Sequence, residues 1–98
     1  MELEEVRGRI EEILRQIFGS NDCLEIRNRS FRRGNVHFYW QGKPLFRINI
    51  KTRQWRWATG FSKLPQPIQA ELERLLRAEL DYALCFLRAP KTKEAIFA

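Results

Sequence analysis

One histidine, two cysteines and twelve carboxylates are the groups from which this chain could build a reaction centre. His37 is the only imidazole, so acid–base chemistry near neutral pH would rest on it alone. Cys23 and Cys85 stand far apart, with no Cys-x-x-Cys or Cys/His spacing around either. They read as reduced, partly buried thiols. A structural zinc site needs four ligands, which one His and two Cys cannot supply. No Ser-His-Asp or Cys-His set can be assembled, and the scattered glycines form no phosphate-cradling loop. The carboxylates fall on helical segments, at positions that read as solvated, which argues against a two-carboxylate metal nuclease. The sequence therefore nominates no catalytic residue, no metal and no cofactor.

Charge placement says more. Between Ile26 and Ala70 there is no Asp or Glu, while ten basic residues fall in that stretch: Arg27, Arg29, Arg32, Arg33, Lys43, Arg47, Lys51, Arg53, Arg56 and Lys63. The flanks hold eight basic and all twelve acidic residues. Such asymmetry focuses a positive field over one region and draws anions to it. Strands are mildly depleted in acids anyway, but that depletion explains missing carboxylates better than it explains ten bases.

Hydrophobic periodicity supplies the elements that position these cations. Leu3, Val6, Ile10, Ile13 and Ile17 recur at helical spacing, widened by Leu14 and Phe18, so Leu3 to Phe18 reads as a helix ended by Gly19. Glu5–Arg9 and Glu11–Arg15 fit its solvated face as i,i+4 pairs. The middle of the chain switches to period two. Leu24 and Ile26, then Val36, Phe38 and Trp40, then Phe46, Ile48 and Ile50, then Trp55 and Trp57 alternate with polar residues, separated by turn signals. Gly60 to Gln66 reads as a loop, and Pro67 opens a long helix that Ala89-Pro90 ends. Ile68, Leu72, Leu75, Leu76, Ala83, Phe86 and Leu87 share its apolar face.

The expected architecture is α+β: an N-terminal helix, an antiparallel meander of three to four strands and a long C-terminal helix. Both helices cover one sheet face. Residues 1–90 form one domain and 91–98 a short flexible tail. Trp55 and Trp57 are core in this register, and a one-residue slip would expose both. Glu79, inside the apolar stripe, reads as a rim residue paired with an Arg or as a polar spot in a subunit interface. Tyr82, Leu84 and Cys85 make the last turns of that helix apolar on a second side, which suggests a homodimer contact. The acidic, amphipathic opening MELEEVRGRIEE resembles neither a secretory signal nor a transit peptide, and no apolar run is long enough to span a membrane. The expectation is a cytoplasmic protein.

The sheet face left in water would then carry Arg27, Arg29, His37, Tyr39, Arg47, Asn49, Lys51, Gln54 and Arg56, with no acid among them. Arg32, Arg33 and Arg53 join them from the connecting segments. Cations release counterions from phosphates, flat rings stack on bases and amides read base edges, so the set suits a polyanion. A solvated sheet face must also be polar, and Arg and Lys on strands deter aggregation.

The order helix, three or more antiparallel strands, helix is similar to the double-stranded-RNA-binding domain, and the segment TGFSKLPQPIQAELERLL resembles the start of that family's second helix. The contacts do not carry over. That family uses its first helix and a lysine cluster opening the second, whereas here the first helix holds Glu2, Glu4, Glu5, Glu11 and Glu12, and only Lys63 lies near the second. Small toxin endoribonucleases of the same fold carry a catalytic His on a strand after a Gly, and Gly34-Asn35-Val36-His37 resembles that arrangement. Three readings follow: a module binding RNA or DNA, a small regulator of the phage or mobile-element kind docking on an acidic protein surface, and a metal-independent endoribonuclease using His37. The first is preferred, and an enzyme is the least favoured.

Overall fold

The computed structural model describes residues 1–30 and 33–88. Val6, Ile10 and Leu14, one face of helix α1 (Leu3–Phe18), sink fully into the core. The helix stops where Gly19 takes a left-handed conformation (φ 64°) and donates its N–H to the Arg15 carbonyl at 2.8 Å. Four strands follow, β1 (Leu24–Ser30), β2 (Asn35–Trp40), β3 (Lys43–Asn49) and β4 (Gln54–Trp57). They form one antiparallel sheet in the order β1-β2-β3-β4. The tight β2–β3 turn holds Gln41 and Gly42 at φ 55° and 77°. Positive φ at both central residues gives a hairpin turn that matches strand twist.

Leu24, Val36, Phe38, Trp40, Phe46 and Ile48 point to one side and are buried in a single cluster with residues of both long helices. Helix α3 (Gln66–Phe86) contributes Leu72, Leu76, Leu80, Ala83 and Leu84. Both helices thus cover one face, and alternate strand residues face away. Phe38 and Phe46 stack at 4.5 Å between centroids, tying β2 to β3 beneath the helices. Trp55 and Trp57 lie on the helix side, half-buried. Their indole N–H groups donate to Asp81 at 2.8 Å and Glu73 at 2.6 Å, so α3 holds β4 by polar bonds as well as apolar contact. The Arg77 guanidinium, and secondarily the Trp57 indole, hold the Glu73 carboxyl below the usual carboxylate range.

Several expectations need correction. Thr59–Ser62 is a one-turn helix, α2, rather than loop, and buries Phe61 against Trp57. Helix α3 starts one residue before Pro67, with Pro65 as its N-cap, and ends at Phe86 because Leu87 turns extended. That turn buries Leu87 and leaves Phe86 56% exposed. Leu84 is core, so the second apolar side of α3 reduces to Tyr82 and Phe86, whose rings lie 4.9 Å apart. Cys23 and Cys85 are free and exposed: one sits in the α1–β1 connection, the other on the outer side of α3. Glu79, by contrast, is paired with an Arg as expected: it meets Arg9 across the two helices. Ala89-Pro90 and residues 91–98 lie outside the described residues.

Glu11 does not decorate a solvated face. Its carboxylate accepts the Leu24 backbone N–H at 2.9 Å and the Arg7 guanidinium at 2.6 Å, with Arg15 at 3.4 Å. The Leu24 N–H, then Arg7 and Arg15, hold this carboxyl below the ordinary range. Glu11→Ala is expected to cost about 2 kcal/mol at neutral pH, since it strands the strand-opening Leu24 N–H and leaves Arg7 with Glu4 as its remaining carboxylate partner. Because the folded-state pKa is lowered, the contribution is full above the unfolded value and is lost as pH falls through the folded one. The gap between wild type and variant in urea melts should therefore narrow in acid.

Candidate nucleic-acid interface

On the sheet face away from the helices, strand pairing sorts the exposed side chains into rungs. Arg27 pairs with His37, His37 with Arg47, and Arg47 with Arg56, so a single rung crosses all four strands. At about 4.8 Å between strands it spans roughly 14 Å. Beside it lies an amide rung, Asn35 to Asn49 to Gln54. On the other side Glu25 pairs with Tyr39, and Tyr39 with Pro44.

Local chain geometry sets these rungs. Leu45 is inserted between the Phe38–Phe46 and Tyr39–Pro44 pairs as a bulge, and both Leu45 and Phe46 are buried. The extra residue shifts the register by one, which puts Arg47 in line with His37. Arg47 and Arg56 face each other with no carboxylate partner among the described residues. Directly opposed like charges destabilise a sheet.

The face is not free of acid. Glu25, two residues from Arg27 and so on the same side of β1, pairs with it at 3.1 Å. The Arg27 guanidinium also lies 4.0 Å over the Tyr39 ring, covering one side of the only tyrosine on the sheet. That stack occupies a surface which sequence reasoning had left open for a base.

Other candidates have structural duties. The Asn49 side chain donates to the Arg33 carbonyl at 2.9 Å and to Asn35 Oδ1 at 3.0 Å, and its Oδ1 accepts the backbone N–H groups of Lys51 and Thr52 at 3.0 Å. It fastens the β3–β4 turn to the β1–β2 connection. Arg53, in a left-handed conformation (φ 59°), donates to the Leu84 and Leu87 carbonyls at 3.0 and 2.6 Å. It caps the end of α3 and belongs to the helix layer rather than to the open face. Arg33 and Lys51 are exposed at the Asn35 end of the sheet. Arg32 and the side chain of Arg29 lie outside the described residues.

Arg47 and Arg56 also line a depression of about 210 Å³ together with Asn35, Asn49, Thr52 and Gln54, with Trp55 as its apolar side. Asn35 and Thr52 were not among the sequence candidates. Asn35 has the same strand parity as His37 and Tyr39, which is the signal that could have found it. Among the described residues, no group of three or more His, Cys, Asp or Glu could hold a metal ion. Among the described residues, no helix is long and apolar enough to cross a membrane. Compared with models of protein families, with curated proteins and with solved structures, the chain matches none.

Proposed function

We propose that the protein binds nucleic acid, RNA or DNA, on the open face of its sheet. The observation that carries this reading is the Arg27–His37–Arg47–Arg56 rung, in which Arg47 and Arg56 oppose each other without a counter-charge. Such a pairing costs stability in the free protein, and a chain of phosphates relieves it. Arg27, by contrast, has its counter-charge in Glu25. The neighbouring amides supply donors and acceptors for base edges.

The endoribonuclease reading has less support. His37 lies between Arg27 and Arg47 on its rung, so both of its cross-strand neighbours are arginines rather than a paired acid or base. His37→Ala is the control: it weakens binding modestly here, and would abolish RNA cleavage in a toxin.

The test is the salt dependence of binding to labelled single-stranded RNA and DNA. With about five cations engaged, log K falls against log salt with a slope of roughly −3.5 to −4.5. Affinity that ignores salt, or no binding at low salt, removes this reading. A stoichiometric acidic protein that co-purifies with the chain and competes for the same face would replace nucleic acid with a protein partner.

A further inference from the structure

We infer that the depression at the Arg47–Arg56 end of the face is a discrete phosphate subsite, distinct from the diffuse charge around it. The inference rests on the nucleic-acid reading and deepens it. At about 210 Å³ the hollow lies below the roughly 300 Å³ at which pockets begin to hold drug-sized ligands, so it suits a small group. Its polar lining is rich in donors. Arg47 and Arg56 are cross-strand neighbours and bring two guanidinium forks to one place.

The amides add direction. Asn49 is held by bonds from both of its polar atoms, and its Nδ2 donates to Asn35 Oδ1 at 3.0 Å. With Oδ1 so engaged, Asn35 offers its NH₂ as a donor. Thr52 carries a hydroxyl, and its backbone is pinned by the Asn49 bond. Gln54, opposite Asn49, closes the rung with an amide free to donate. A compact, multiply charged acceptor fits this lining, and a phosphate of the nucleic-acid backbone is that group. The remaining face then steers the strand, while this corner fixes its register.

Arginine and lysine separate a built subsite from diffuse charge. Lysine keeps the charge but loses the planar fork that grips phosphate oxygens. The Arg47→Lys/Arg56→Lys variant should bind a labelled mixed-sequence single strand of about a dozen nucleotides roughly tenfold or more weakly than wild type. Its salt slope should stay unchanged, because the count of cations is unchanged. Asn35→Ala, which keeps both arginines, should weaken binding severalfold in the same direction. Circular dichroism and urea melts exclude unfolding as the cause.

If both variants bind as wild type does while Arg47→Glu/Arg56→Glu loses binding, the subsite is refuted and the face acts by charge alone. If the charge reversal also leaves binding intact, the nucleic-acid reading of this face fails with it. Loss in the lysine variant with a reduced salt slope would overturn the inference too, since it would mean lost charge contacts rather than lost geometry.

Discussion

The Arg47→Glu/Arg56→Glu double variant is expected to bind single-stranded nucleic acid at least a hundredfold more weakly at physiological salt, roughly the effect of losing two phosphate contacts and gaining two repulsive charges. Its stability should stay within about 0.5 kcal/mol of wild type, because both positions face away from the core. Each lost contact removes about 0.7 to 0.9 from the salt slope, so the double variant should retain little more than half of the wild-type dependence. Fluorescence anisotropy over a salt series measures both quantities. The exchange also keeps two like charges opposite each other, so the repulsion between strands is not the variable being changed. A double variant that folds and binds normally would move attention to the outer side of α3, where Tyr82 and Phe86 are half-exposed.

Gly60→Ala should destabilise the protein by roughly 3 kcal/mol, the upper part of the range for overpacking a tight contact. Gly60 is buried in α2, and a Cβ there would penetrate the Pro44 carbonyl oxygen and lie 3.3 Å from Lys43 Cβ. Backbone carbonyls cannot swing aside as side-chain tips do, so α2 has to retreat from β3. Retreat draws Phe61 away from Trp57, whose rings now meet edge to face at 4.1 Å, and Trp57 is in turn anchored to Glu73. The denaturation midpoint should fall while the slope of the transition stays constant. Gly8→Ala is the matching control. A Cβ at Gly8 meets nothing within 4 Å, and replacing a mid-helix glycine stabilises by roughly 0.5–1 kcal/mol.

The periodicities carried the architecture because each apolar set has one place to go. Val36, Phe38 and Trp40 alternate without a break, and the structure buries all three. The alternation fails at Pro44-Leu45-Phe46, where two consecutive apolar residues mark the bulge, a signal overlooked because a period-two reading keeps only the residues that fit it. Side-chain hydrogen bonds to backbone are not periodic at all, which is why Glu11 read as a solvated surface charge and the structural duties of Asn49 and Arg53 went unseen. Helix ends were the other blind spot. Phe86 fits the apolar stripe of α3, but the chain leaves the helix immediately after it and Leu87 takes the buried place. For the site, the strand cations were legible from parity alone. Their grouping into rungs depends on inter-strand register, which turn geometry and the bulge determine.

Since every strand of the meander pairs only with its neighbours in the chain, the sheet can assemble by successive short-range closures. The turns between β2 and β3 and between β3 and β4 are a few residues long, and closing such loops costs little entropy. Rates of folding track the sequence separation of contacts, so hairpin zippering should be fast and early. Docking of the two long helices is the exception. Arg9 and Glu79 are 70 positions apart, and the Met1 amino group reaches the Phe86 carbonyl over 85. Contacts of that span carry the largest closure cost, so docking of α1 against α3 is expected to follow pairing of the strands. The cationic face, built from local pairings alone, would then be in place before the chain has buried its core.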